Sequence, residues 1–239
     1  MTAIVAAFHP DSGFIIASDG RRLDGLTKKI VSDCAQKVYE IGHPECRLLF
    51  GWAGATSVPT LICGPFDFAA SMLSVIKDME RLTYASWDAF VGEIRCGLYG
   101  ELVGCAAGLR LFSENPDLNE CFASCLLLGY FQGEPVQATI RFSHDAGTLR
   151  FPDIVDLGHL GNETEFRHFC GDEPLFNEMV KTVPNSLGES VDLASRYIAE
   201  CAVRSQEYGG KTQILKLPHL FNYPKTPKRI PSITPRRLI

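Results

Sequence analysis

No stretch of this 239-residue chain approaches the roughly 18 consecutive apolar residues of a membrane-spanning helix. The N-terminus also lacks the basic-then-apolar layout of a secretory signal, so the expected location is the cytoplasm. The nine cysteines (34, 46, 63, 96, 105, 121, 125, 170 and 201) contain no C-x-x-C pair. That speaks against a zinc ribbon or a thioredoxin-like site. Reduced, mostly buried thiols fit such scattered positions, because cysteine often behaves as a small hydrophobe. The six histidines show no ligand spacing, and no metal or other cofactor is implied. A net charge of −5 argues against nucleic acid as the main partner. At 46% hydrophobic and 21% charged residues, the composition is that of a globular protein of one large domain or two small ones.

What is present starts at position 2. Thr2 opens the strand-like run Thr2-Ala-Ile-Val-Ala-Ala-Phe8 directly after Met1. A threonine hydroxyl is a weak nucleophile without an adjacent base, and a free α-amino group on the same residue is such a base. Its reference pKa of about 7.7–8 leaves a neutral fraction near pH 7. Removal of Met1 would place nucleophile and base in one residue. Pro10-Asp11-Ser12-Gly13 is a turn cluster, and Phe14-Ile15-Ile16-Ala17 a second apolar strand ending at Ser18-Asp19-Gly20. Gln36-Lys37-Val38-Tyr39-Glu40-Ile41 alternates as a third strand, and Arg47-Leu-Leu-Phe-Gly-Trp-Ala-Gly54 makes a fourth. Taken singly, Asp19-Gly20 is an ordinary turn and Lys37 an edge-strand gatekeeper.

Thr at the start, Asp after the second strand, Lys on the third and Ala-Gly after the fourth together resemble the proteasome β-type family of N-terminal nucleophile hydrolases. The bacterial HslV-like and Anbu-like branches are the most similar. The resemblance implies that Thr2 is the nucleophile, Lys37 the residue lowering its pKa, Asp19 the acid orienting that lysine, and the Gly54 N–H an oxyanion donor. Elementary electrostatics supports those roles. An ammonium favours a developing alkoxide, and a carboxylate keeps it charged and oriented. A backbone N–H at a residue without a side chain stabilises an oxyanion at close approach.

Beyond residue 55 the pattern lengthens. Residues 66–82 carry a helical repeat with Asp67 in its first turn, and Ser86 is a plausible N-cap for a helix burying Trp87, Phe90, Val91, Ile94, Leu98, Leu102 and Cys105. Glycines 92, 97, 100, 104 and 108 suggest close packing in that helix, where each costs about 1 kcal/mol against alanine. A hairpin is expected from 125–131 and 136–142 around Gly133-Glu-Pro135, then a strand over 148–155 broken at Pro152. Helices are expected over 163–181 and 188–204, and a last strand over 211–217. Periodicity alone gives only α+β. The resemblance implies a four-layer αββα sandwich over 1–217. The tail 218–239, with five prolines, Lys225, Lys228, Arg229, Arg236 and Arg237 and no acid, reads as an extended basic segment.

The family also carries a serine in a Gly-Ser-Gly stretch and an Asp-x-x-Ser-Gly-Gly stretch. Here these correspond to Gly161-Asn162-Glu163 (less well Gly158-His159) and to Ser205-Gln-Glu-Tyr208-Gly209-Gly210. Asn162, Ser205 and Tyr208 are therefore possible supporting residues, able to supply hydrogen bonds but not the aspartate's charge. Gly209-Gly210-Lys211-Thr212 lacks the earlier glycine of a phosphate-binding loop, and Ser74-x-x-Lys77 lacks the companion elements of a serine–lysine site. Two functions are thus expected as alternatives: a homo-oligomeric threonine-type hydrolase of peptide or amide bonds, or a weak or inactive subunit that serves as an assembly scaffold. The glycine-studded helix and basic tail suggest a ring or spiral larger than a dimer.

Overall fold

The computed structural model describes residues 2–23, 29–55, 57–58, 66–105, 121–145 and 148–219. The expected basic tail lies outside the described residues beyond His219, as do Gly108 and Cys63. The architecture is mixed α+β, with mostly antiparallel strands and four described helices. Strand β1 (Ile4–His9) pairs with β2 (Gly13–Ser18) around the expected turn, with Ile4 opposite Ser18 and His9 opposite Gly13. Two short hairpins not foreseen in the sequence are β3 (Arg22–Leu23) with β4 (Ile30–Ser32), and β7 (Ser57–Val58) with β8 (Phe66–Asp67). Between them, β5 (Val38–His43) pairs with β6 (Cys46–Gly54).

Helix α1 (Phe68–Met79) starts later than expected because Asp67 is its N-cap, accepting from the Ala69 and Ala70 amides at 2.9 Å each. Helix α2 (Trp87–Gly104) is capped by Ser86 and buries the six residues from Trp87 to Leu102 that the pattern picked out. Among its glycines only Gly97 sits at a tight contact, its would-be Cβ lying 2.7 Å from Val75 of α1, whereas Gly92, Gly100 and Gly104 face open space. Strands β9 (Ala123–Phe131) and β10 (Glu134–Phe142) turn on Gln132-Gly133, both at positive φ, so the two-residue turn precedes the expected Gly133-Glu-Pro135.

Strands β11 (His144–Asp145) and β12 (Thr148–Leu149) form a small hairpin, and Pro152 separates it from β13 (Asp153–His159). The expected helix over 163–181 is corrected. Glu165–Cys170 is strand β14, which satisfies the second edge of β1. Only Glu173–Met179 is helical (α3), with Asp172 as N-cap and Pro174 in its first turn, where proline is compatible with helix. Helix α4 (Leu187–Arg204), capped by Ser186, precedes β15 (Gln213–Pro218).

The strands form one four-stranded sheet, β14-β1-β2-β15, and one five-stranded sheet, β13-β10-β9-β6-β5. Period-two alternation sends Val5, Ala7, Ile15 and Ala17 toward α3 and α4, packing with Leu175, Ala194, Tyr197 and Ile198. Their neighbours Ile4, Ala6, Phe14 and Ile16 pack instead on Leu49, Ala53, Leu126 and Leu128 of the larger sheet. The other face of that sheet, with Phe50, Trp52 and Leu127, carries α1 and α2. Strands β1 and β2, buried on both faces, therefore read as continuous apolar runs. Of the eight described cysteines, Cys46, Cys125 and Cys201 are buried while Cys34, Cys96 and Cys121 are exposed. That corrects the expectation of mostly buried thiols. Among the described residues no helix is long and apolar enough to cross a membrane.

Candidate active site

The pairing of β1 with β2 brings residues 2–3 beside the chain leaving β2 at Asp19. The Asp19 amide donates to Ala3 O at 3.1 Å, and the Ala3 amide donates to Asp19 Oδ1 at 2.9 Å. Lys37, at the entrance to β5, donates from Nζ to the same Oδ1 at 2.7 Å. Oδ2 accepts from the Gly209 amide at 3.3 Å. All three residues at this junction are buried, Thr2 at 4% exposure, Lys37 at 2% and Asp19 at 0%. Burial pushes the Lys37 ammonium below the ordinary lysine range, and the Asp19 charge and hydrogen bond oppose that shift. A cation fixed by a buried carboxylate that also accepts a hydrogen bond from the Ala3 amide can stabilise negative charge developing near it.

Close backbone packing fixes the surroundings. Gly20 donates its amide to Gly209 O at 3.0 Å, and Ala35 donates to Gly20 O at 2.8 Å. A Cβ at Gly20 would meet Lys211 O at 2.5 Å, and one at Gly210 (φ +73°) would meet Asp33 O at 2.3 Å. Arg21 ties the same loops together, from Nε to Asp33 Oδ1 at 2.6 Å and from Nη1 to Gln206 O at 2.8 Å and Tyr208 O at 3.0 Å. Sequence reasoning passed over Arg21, and its only local signal was its place next to Asp19-Gly20.

Gly54 ends β6, two residues beyond Trp52, whose amide donates to Lys37 O at 3.0 Å. Its φ of +83° and the 2.3 Å approach of Phe122 O to a would-be Cβ require glycine there. The supporting residues distribute differently from expectation. Asn162 precedes β14 at the end where Glu165 pairs with Phe8, so it lies at the far end of β1 from Thr2. The β14 residue beside the start of β1 is Cys170, opposite Ile4, followed by Gly171 at φ +130° with its would-be Cβ 3.3 Å from Ala3 Cα. Burial raises the Cys170 thiol, while Lys37 lowers it. Correct placement of Cys170 required knowing that 165–170 is a strand. Ser205 caps α4 and accepts from the Glu207 amide at 3.2 Å. Tyr208 is buried in the apolar cluster under α4, its phenol pushed up to about 12 by burial. The turn containing both residues delivers the Gly209 amide to Asp19.

A cavity of about 200 Å³ opens beside this junction. Lys37, Tyr39 and Trp52 line it from the five-stranded sheet, Asp67 and Ala69 from the start of α1, and Arg22 from β3.

No protein-family model and no curated protein matches the chain. Among solved structures, it is similar to the Anbu complex from Pseudomonas aeruginosa, described as a helical assembly. The TM-score is 0.59 at 16% identity, over 90% of this chain and 81% of that one. Anbu from Yersinia bercovieri, described as an ancestral beta-subunit, gives 0.55 at 16% identity over 90% and 81% of the two chains. Anbu from Hyphomicrobium sp. strain MC1 gives 0.54 at 14% identity over 91% and 82%. At these identities the likeness is one of fold.

Proposed function

We propose that this protein is a proteasome-like threonine hydrolase of the Anbu type, with Thr2 as N-terminal nucleophile after removal of Met1. The observation that carries the reading is the buried Lys37–Asp19 pair at 2.7 Å, whose carboxylate is also bonded to the Ala3 amide next to Thr2. Thr2 Oγ attacks an amide carbonyl and passes its proton to the Thr2 α-amine. Lys37 stabilises the alkoxide and the Gly54 N–H the tetrahedral oxyanion. The amine returns the proton to the leaving nitrogen, giving an ester on Thr2. Water then attacks that ester, releasing the acid and regenerating the hydroxyl. The domain is 1–217, a four-layer αββα sandwich with a basic tail over 218–239, assembled in the cytoplasm as a homo-oligomeric ring or spiral. Intact-mass measurement of the protein made in its own host tests the premise, since a chain that quantitatively keeps Met1 has no free Thr2 amine. An epoxyketone probe should label Thr2 in wild type and fail on Thr2→Ala.

A second reading, a scaffold subunit without turnover, is favoured by Tyr208, whose ring packs under α4 where the family places a serine. Under it, Thr2→Ala leaves the cellular phenotype unchanged while truncation after Leu217 does not.

A further inference from the structure

One stretch of chain, from the end of α4 into β15, reaches both members of the buried ion pair. Gly209 bonds the Asp19 carboxylate, and Gln213 holds Lys37 by its backbone. Lys37 lies in the segment 35–37, which belongs to no strand, so its peptide groups must find partners elsewhere. Trp52 donates its amide to Lys37 O at 3.0 Å. The remaining partners come from a side chain 176 residues away. Gln213 Oε1 accepts from the Lys37 amide at 3.1 Å, and Gln213 Nε2 donates to Ala35 O at 2.8 Å. Gln213 opens β15 in the four-stranded sheet, opposite Ser18, while β5 is an edge of the five-stranded sheet. The two bonds therefore join the sheets beside the site. Ser18 is fully buried with its hydroxyl unbonded, so the amide is committed across the sheets and not to its register partner. The pattern also selects the side chain. The Lys37 N–H needs an acceptor and the Ala35 carbonyl a donor, and a carboxamide presents both at any pH. An ionised glutamate only accepts, and a methionine of similar length does neither.

We propose that Gln213 is a positioning residue for Lys37, clasping its backbone so that Nζ stays on Asp19 Oδ1 at 2.7 Å. Its effect on turnover rests on the hydrolase reading, in which Lys37 stabilises the alkoxide. Lys37 is 2% exposed, and a buried ammonium is tolerated only where its partner is met in good geometry. Its flexible four-carbon stem reaches that geometry reproducibly only from a fixed backbone. A displacement of about 1 Å costs up to about 100-fold in rate.

The test compares full-length wild type with Gln213→Met and Gln213→Glu, and with Leu215→Ala as control. Leu215 lies in the same strand, packs on the core between the sheets and makes none of these side-chain bonds. NMR of isotope-labelled lysine ε-methylenes over pH follows Lys37, whose signal is identified by its loss in Lys37→Arg. A fluorogenic peptide amide reports kcat and KM. In Gln213→Met, kcat should fall about 10- to 100-fold with KM little changed. The Lys37 titration should move to lower pH, because burial persists while Asp19, which opposes it, is farther away. Gln213→Glu keeps the acceptor for Lys37 but turns an oxygen on Ala35 O. It should also lower kcat, with the Lys37 titration moved to higher pH by the added charge. Leu215→Ala should lose stability alone. An unmoved Lys37 titration in either folded Gln213 variant overturns the proposal, as does an equal movement in Leu215→Ala. A moved titration in a protein whose wild type neither cleaves amides nor takes up an epoxyketone retains the positioning role and sinks the hydrolase reading. Wild-type turnover that persists at undiminished kcat in Gln213→Met does the reverse.

Discussion

Asp19 makes three hydrogen bonds in a fully buried setting, to Lys37 Nζ and to the amides of Ala3 and Gly209. Removing one partner of such a pair leaves an uncompensated buried charge, which costs about 3–5 kcal/mol. Asp19→Asn should lose turnover and that much stability in urea denaturation. The double variant Asp19→Asn/Lys37→Met should recover part of the loss, because neither charge is then stranded. A sum of the two single effects would show that the residues do not act as a pair. The depressed Lys37 pKa also has a sign. Its ammonium loses a proton at lower pH than the ordinary value near 10.4, so activity depending on that charge falls on an alkaline limb below this pH. The Thr2 amine must be neutral to act as base, which sets an acid limb near its reference of about 7.7–8. A rate profile still rising at pH 10.5 would contradict the assigned role of Lys37.

Helices α1 and α2 touch where Gly97 meets Val75, and nowhere else along α2 is a glycine needed for space among the described residues. Gly97→Ala should therefore destabilise by about 1–3 kcal/mol through overpacking. Gly92→Ala, facing open space, should stabilise by up to about 1 kcal/mol through helix propensity. Thermal denaturation of the two variants separates the effects, and similar shifts in both would refute the packing argument. Under the other sheet, His9 of β1 is buried with Nε2 2.8 Å from Ser190 Oγ of α4. Burial lowers its pKa below 6.5, against an opposing effect of Glu189. Below pH 6.5 the unfolded chain takes up a proton that the folded chain resists, so stability is retained above that pH and declines as pH falls through it. His168, lowered in the same way, adds to the slope. His9→Gln should flatten the fall in Tm between about pH 6.5 and 5 without abolishing it, and an unchanged slope would exclude His9 as a contributor.

At the scale of the molecule, the relevant balance is between the five tail cations and a remainder carrying about −10. Opposite charges of this kind steer association and weaken with salt. A homo-oligomer larger than a dimer is expected, measured by light scattering after size exclusion at low and high salt. A monomer at micromolar concentration under both conditions would remove the assembly expectation. The similar Anbu structure from Pseudomonas aeruginosa is described as a helical assembly, which gives the comparison a concrete form.

Short-range chemistry was legible in the sequence. The cap at Ser86, the buried stripe of α2 and the apolar runs of β1 and β2 all follow from local sterics and hydrogen bonding. The order Thr2, Asp19, Lys37, Gly54 was read from the family resemblance rather than from local pattern, and the structure brings Asp19 and Lys37 together beside the Ala3 amide. The tertiary structure decided what depends on partners distant in sequence. Residues 165–170 became a strand because β1 had an unpaired edge, and that pairing placed Cys170 beside residue 4 and left Asn162 at the opposite end. Likewise Tyr208 turned its ring into the helix-side core while its neighbour Gly209 supplied an amide to Asp19, 190 residues away. A backbone edge and a buried carboxylate must find hydrogen bonds wherever the chain supplies them, and no local pattern records which segment will arrive.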